Sequence, residues 1–322
     1  MHVVPRLLAL PASKLPAVYV PAALLILSLL VTSFVAMYAT RATHNLMPLD
    51  WTRKFFGLAI VAIPVAGAEA LGNLANLQQW LWLGAFLTCI GSLSRRWERV
   101  AGTLLLVGAG LSSPLSLILV PLVIWRRRHD RMMTVLFLSS VVIHVLKVLS
   151  LDNERVGAPI GSKNPITQIK NFLFWVPNGI TANNQTAWTA TGITFVAITT
   201  IALWKCRKSF CADAWVVGGA LIIYWYTSTG FGQGATYRHA VVPGILVVGV
   251  ILIVAQSQQW MSAFALTLLI LWISLLGVWG PRTGPSPSWI EAARNSPPCD
   301  TTYPLPIAPG TWGIVRWPCD RL

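Results

Sequence analysis

Apolar runs alternate with short basic clusters along this chain. The runs fall at approximately 17–38, 55–76, 78–92, 100–111, 114–125, 132–149, 188–204, 214–228, 241–255 and 261–278. A helix needs about 20 residues to cross about 30 Å of hydrocarbon, so several of these runs are too short to cross alone. The basic clusters between them are Arg41 with Arg53 and Lys54, then Arg95, Arg96 and Arg99, then Arg126, Arg127, Arg128 and Arg131, and finally Lys205, Arg207 and Lys208. Basic clusters beside membrane helices stay on the cytoplasmic side. A single helix from Arg99 to Arg126 would put two clusters on opposite sides, whereas a hairpin keeps both inside. The sequence Gly108-Ala109-Gly110-Leu111-Ser112-Ser113-Pro114 predicts that hairpin, with two short helices meeting at Ser112–Pro114. Each is about 18 Å long at 1.5 Å per residue, so the turn is expected in a pocket sunk into the outer leaflet, beside protein or water.

Parity then assigns the rest of the chain. The outer side receives the end of run 55–76, the Ser112–Pro114 turn, a loop at about 150–187, the segment 229–240 and the tail 279–322. The amino terminus also falls outside, although it carries Arg6 and Lys14 and no acid. The expected architecture is an all-α integral membrane protein of about ten spanning or half-spanning helices over 1–278, with a small proline-rich outer tail. Its expected location is the bacterial inner membrane, with the active face extracytoplasmic.

Composition agrees with this pattern. Of the 322 residues, 55% are hydrophobic and 11% charged, against about 25% charged in soluble domains. That leaves too little polar surface to cover the molecule in water. The formal charge of +14 does not point to nucleic acid, because the basic residues cluster between apolar runs. Cys299 and Cys319 both fall in the outer tail, and the pair is expected to form a disulfide in an oxidising compartment. Closing a loop of that size is worth about 3 kcal/mol in the chain-entropy account. The sequence between them, from Tyr303 to Gly313, is proline-rich and expected to be extended, forming a cap on the outer face.

With only ten acidic residues, each can be weighed. Glu69 lies near the outer end of its run, and Asn73, Asn76 and Trp80 follow at helical spacing on one face. A carboxylate at that depth costs several kcal/mol unless paired or solvated. Glu69 therefore reads either as a pocket acid for a sugar hydroxyl, a metal or an acceptor, or as a group bonded to the neighbouring hairpin. Asp152 and Glu154, beside Arg155, read as a general base or metal ligands, or as a solvated loop. Asp50, Glu98, Asp130 and Asp213 read as spectators on the inner side. Arg238 follows Gly230-Phe231-Gly232-Gln233-Gly234-Ala235-Thr236-Tyr237 at an outer mouth. There it reads as a clamp for phosphate or as a side chain snorkelling to headgroups. His239 reads as support for Arg238. His144 and Lys147 share a face, and Lys147 reads as added positive charge in the pocket or as a snorkelling lysine. The tryptophans are expected mostly at interfaces, with Trp80, Trp175 and Trp188 as candidates for stacking on a sugar. Nothing in the sequence matches a phosphate-binding loop, a zinc-ligand spacing or a paired-cysteine redox motif, and no cytosolic segment is large enough to bind a nucleotide sugar.

The stretch Glu69-Ala70-Leu71-Gly72-Asn73-Leu74-Ala75-Asn76-Leu77-Gln78-Gln79-Trp80 resembles part of a group of bacterial polytopic membrane proteins. So do Gly110-Leu111-Ser112-Ser113-Pro114, Pro121-Leu122, Tyr237-Arg238, Pro306-Ile307 and Pro309-Gly310. That group is similar to the GT-C superfamily of polyprenyl-phosphate-dependent glycosyltransferases, and the resemblance runs from about Leu58 to the end. It implies a lipid-phosphate sugar donor, a glycan or lipid acceptor, an outward active site and inverting transfer. It also implies a base or metal ligand on a first outer loop, with a divalent metal as the only candidate cofactor. Nothing before residue 50 offers such a loop. Either an amino-terminal part is missing, or Glu69 or the Asp152/Glu154 pair takes the role. Glu69 is then expected on the acceptor side and Arg238 on the phosphate side, with Tyr237, His239, Asn73, Asn76, Trp80, Ser112, Ser113 and Lys147 lining the substrate. A flippase or transporter of lipid-linked sugars, or a non-catalytic membrane subunit, are the competing expectations.

Overall fold

The computed structural model describes residues 3–63, 76–150, 164–180, 204, 212–230, 237–256, 262–267, 302–306 and 314–318. Within these residues the chain is helical, apart from one two-stranded hairpin. The helices are α1 (Val3–Ala12), α2 (Val20–Ala42), α3 (Asp50–Ala62), α4 (Leu77–Ile90) and α5 (Arg96–Ser112). A 3₁₀ segment, Pro114–Leu119, leads into α6 (Val120–Arg127), followed by α7 (Arg131–Ser150). Then come α8 (Pro165–Ile180), α9 (Ala212–Gly230) and α10 (Tyr237–Ala255). In the tail, β1 (Thr302–Pro306) pairs antiparallel with β2 (Ile314–Pro318).

Two helical stretches, Ala17–Ala42 and Arg131–Ser150, are long and apolar enough to cross a membrane. Leu25, Ile26 and Leu30 on the first, and Val135, Val142 and Ile143 on the second, are exposed. By contrast, α4 spans about 21 Å at 1.5 Å per residue and lies at the centre of the molecule. Every residue from Leu77 to Ile90 is buried except the half-buried Gln78. A helix apolar on all sides has no solvent-facing stripe and must be enclosed. Here α2, α5, α6 and the 3₁₀ segment enclose it.

Local chemistry explains where these elements start and stop. At the start of α5, Glu98 Oε2 accepts from the Arg95 N–H at 2.9 Å and from Ser94 Oγ at 3.2 Å, a capping box that holds the first turn. The helix ends at Ser113, which is extended before Pro114, because a proline ring excludes helical backbone in the residue ahead of it. Ser113 Oγ then accepts from the Leu115 N–H at 3.3 Å and opens the 3₁₀ segment. Asp130 Oδ1 accepts from the Met133 N–H at 3.2 Å at the start of α7.

The predicted turn at Ser112–Pro114 is therefore present, and it returns the chain as expected. The second half of the hairpin is split into a 3₁₀ segment and α6, because Pro114 and Pro121 cannot sit inside one helix without removing hydrogen bonds. Three expectations need correction. The loop placed at 150–187 contains α8, whose start is fixed by Asn164 Oδ1 accepting from the Ile166 N–H at 2.9 Å. Lys170, Asn171 and Pro177 interrupt its apolar pattern and hid the helix. Residues 3–12 form α1, although no span was expected before residue 17. The tail carries a strand pair, so the all-α description holds for the helical body only. Run 55–76 is described as far as Ile63, and run 188–204 at residue 204 alone.

Gly91 closes α4 against α2, and a Cβ there would meet the carbonyl oxygens of Ala42 and Leu87. Gly91→Ala is expected to lower stability by about 1–3 kcal/mol. Gly218→Ala, where a Cβ meets nothing within 4 Å, is expected to be neutral or stabilising by up to about 1 kcal/mol. Thermal unfolding of the two purified variants distinguishes them.

Candidate functional site

Hydrogen bonds between helix ends give the molecule two distinct poles. At the first, Ser92 N–H donates to Ala42 O at 3.0 Å, and Asn45 Nδ2 donates to Ile90 O at 3.2 Å. Gln256, just past α10, donates to Leu46 O at 3.1 Å. Arg127 donates through Nε to Thr88 O at 2.9 Å and also reaches Gly91 O. The ends of α2, α4, α6 and α10 therefore meet the starts of α3, α5 and α7 at one pole. Arg41, Arg53, Lys54, Arg95, Arg96, Arg99, Arg126, Arg127, Arg128 and Arg131 all belong to these ends, so this is the basic pole. Trp51, Trp97 and Trp125 are exposed there.

The acids expected to be spectators at this pole have structural roles. Glu98 is buried in the capping box described above. Asp50 accepts from Arg53 at 3.0 Å and Lys54 at 2.6 Å, and these hydrogen bonds hold its exposed carboxyl below the usual carboxylate range. A cavity of about 370 Å³ also opens here, lined by Arg99, Arg126, Arg127, His129, Asp130 and Arg131. Sequence reasoning treated this cluster only as an orientation signal.

The far pole holds the start of α4, the Ser112–Pro114 turn, the end of α7, the end of α9 and the start of α10. Asn76 and Trp80 are buried there. Ser112 Oγ accepts from the Val4 N–H at 3.1 Å, tying the start of α1 to the turn. Ser112 and Ser113 thus each hold a backbone N–H, the orphan donors at the start of a helical segment. His144 Nδ1 bonds to Leu111 O at 3.0 Å. Lys147, one turn further along α7, is exposed. His239 is half-buried in the first turn of α10. Two groups missed by sequence reasoning cross between helices here. Thr229 Oγ1 donates to Gln168 Oε1 at 2.5 Å, and Trp225 Nε1 donates to Gln168 O at 3.1 Å. Both are buried amide chemistry on α8, the helix that the apolar pattern concealed.

Among the described residues, three buried polar atoms at the far pole have no hydrogen-bond partner: Gln79 Oε1, Trp80 Nε1 and His144 Nε2. Trp80 is fully buried and does not offer an open face to a sugar. Trp82, also fully buried, donates from Nε1 to Leu115 O at 3.0 Å. The described tryptophans therefore divide between exposed and core positions.

Glu69, Asn73, Asp152, Glu154, Lys163, Trp188, Cys299 and Cys319 lie outside the described residues, as do the side chains of Tyr237 and Arg238. Among the described residues, no three His, Cys, Asp or Glu side chains gather as a metal-binding group. No family model, curated protein or solved structure matches this chain.

Arg127 joins α6 to the end of α4 through carbonyls that have no partner inside α4. Arg127→Gln removes hydrogen bonds from a charged donor, each worth about 1.5–3 kcal/mol. The variant is expected to unfold at a clearly lower temperature, whereas Arg128→Gln, exposed beside it, is expected to match the native chain.

Proposed function

We propose that the chain is a polytopic protein of the bacterial inner membrane. In this reading it moves a sugar from a polyprenyl-phosphate donor to a cell-envelope acceptor at the outer face. The observation that carries the reading is the pairing at the far pole. The first turn of α10, with Tyr237, Arg238 and His239, sits at the same pole as the start of α4 and the Ser112–Pro114 turn. All of the basic clusters on α2, α3, α5, α6 and α7 sit at the other pole. Basic residues and exposed tryptophans at one pole, with exposed leucine, isoleucine and valine along α2 and α7, match the needs of a bilayer.

The chemistry follows from that placement. The first N–H groups of a helix have no intrahelical partner and favour anions. In α10 these belong to the turn containing Arg238, so the donor phosphate is assigned there. An acceptor hydroxyl attacks the anomeric carbon, the new bond to oxygen forms, and the bond to the phosphate oxygen breaks with inversion. The phosphate leaves with the electron pair, and its growing charge is met by the helix start and Arg238. A carboxylate takes the hydroxyl proton. Glu69, eight positions before the start of α4, is assigned that role, with Asp152 and Glu154 as the alternative carboxylates. Gln79 Oε1 and Trp80 Nε1 have no partner among the described residues, which supports a polar ligand or water at this pole, since an unpaired buried polar atom costs about 1–3 kcal/mol. The register that sets Thr302 opposite Pro318 brings the chain close to Cys299 and Cys319 together and supports a disulfide between them.

Transfer from a polyprenyl-phosphate sugar by the full chain in proteoliposomes tests the reading. Arg238→Ala is expected to lower transfer about 100-fold with an unchanged elution profile. Full activity in that variant removes Arg238 from the mechanism, and no transfer by the native chain contradicts the enzyme. Titration of denatured, unreduced chain is expected to find three of the five cysteines free. Five free thiols would exclude the bridge.

A further inference from the structure

The cavity at the basic pole lies at the opposite end of the molecule from the proposed donor site, and its charge is unbalanced. Arg99, Arg126, Arg127 and Arg131 line it, with Asp130 as the one carboxylate and His129 beside it. Asp130 Oδ1 accepts from the Met133 N–H, and its single negative charge offsets one of the four arginines. Arg127 is committed to the carbonyls of Thr88 and Gly91. The Arg126 guanidinium lies over the Trp125 ring, 4.3 Å from its centroid. Arg99 and Arg131 are exposed at the rim and engage no acceptor among the described residues. Four guanidinium groups thus share one space with a single carboxylate, and Arg99 and Arg131 at its rim leave an excess of positive charge that favours an added anion.

The surroundings indicate where that anion comes from. Trp97 and Trp125 are exposed on the two helices that flank the cavity. Near them in the chain, Val100 and Leu104 on α5, Ile124 on α6, and Met132 and Val135 on α7 are exposed, so each helix that brings an arginine to the cavity also carries exposed apolar side chains. A soluble phosphate has no use for them, whereas a phospholipid places its phosphate in the basic cavity and its acyl chains on the apolar side chains. Basic pockets between helices on the cytoplasmic side bind anionic headgroups in this manner.

We infer that this cavity is a binding site for the phosphate of an anionic phospholipid in the inner leaflet. The inference rests on the membrane placement proposed above and is independent of sugar transfer. Bound there, the lipid bridges the start of α5 and the α6–α7 turn, the two arms of the hairpin that carry the Ser112–Pro114 turn at their other end.

The test uses the full chain in nanodiscs of phosphatidylcholine with a minor share of phosphatidylglycerol. Lipid retained on release is read by native mass spectrometry. The native chain is expected to retain phosphatidylglycerol in preference to phosphatidylcholine. Arg99→Gln and Arg131→Gln each lower retention about fivefold, the equivalent of about 1 kcal/mol per arginine near a membrane surface. Because neither side chain holds a backbone group, both variants fold. Arg41→Gln and Lys54→Gln, at the same pole but outside the cavity, retain the lipid as the native chain does. Equal loss in the control pair would overturn the site in favour of diffuse surface charge. Displacement of the lipid by excess inorganic diphosphate would overturn the lipid in favour of a soluble phosphate. A chain extracted from membranes by alkaline carbonate would remove the membrane placement itself. A carbonate-resistant chain without preference for phosphatidylglycerol would remove only this inference.

Discussion

Arg127 ties the end of α4 to the turn between α6 and α7. The last carbonyls of a helix have no partner within it, and α4 ends in the interior, close to α2. Its guanidinium meets Thr88 O and Gly91 O, while the bare Cα of Gly91 lets the Ala42 carbonyl approach. The ends of α2, α4 and α6 are thereby fixed together, and with them the basic clusters beside those ends. A positive charge at a helix C-terminus is also favourable to the helix dipole. The same residue thus contributes to the sidedness signal, to the closure of the central helix and to the wall of the basic cavity.

The polarity of the molecule follows from this closure. Because α4 and α5 run in opposite directions from the basic pole, the chain must reverse beyond Ser112, and Pro114 makes the reversal sharp. Because Gln256 binds Leu46 at the basic pole, α10 must begin at the far pole. The proposed donor site and the proposed lipid site are consequently separated by the length of the bundle. The far pole keeps unpartnered polar atoms on Gln79, Trp80 and His144, and the basic pole keeps unbalanced guanidinium groups. Both are features of surfaces that meet a polar or charged ligand.

Much of this was legible in the sequence because two signals are strong in a membrane-like chain. Apolar runs mark helices, and arginine clusters mark one side. Together they gave the α5–α6 hairpin, its turn at Ser112–Pro114 and the gathering of the basic clusters. What escaped had weaker local signals. The helix α8 mixes Ile166, Ile169 and Phe172 with Lys170 and Asn171, so no run stands out. The fixed positions of Ser112 and Ser113 depend on partners at Val4 and Leu115, which spacing does not reveal. Arg127 looks like its neighbours Arg126 and Arg128 in sequence, and only the packed end of α4 distinguishes it. Trp80 is a candidate for stacking on a sugar in the sequence, whereas enclosure on all sides of α4 leaves it in the core.

The central claim is that the basic pole and the Ser112–Pro114 turn face opposite sides of a bilayer. Single cysteines at His129 and Pro114, both exposed, in a chain freed of its native cysteines, test it directly. In sealed right-side-out vesicles, a membrane-impermeant maleimide is expected to label Pro114→Cys at once. His129→Cys should label only after the vesicles are opened. Labelling of both positions from the same side would contradict the arrangement.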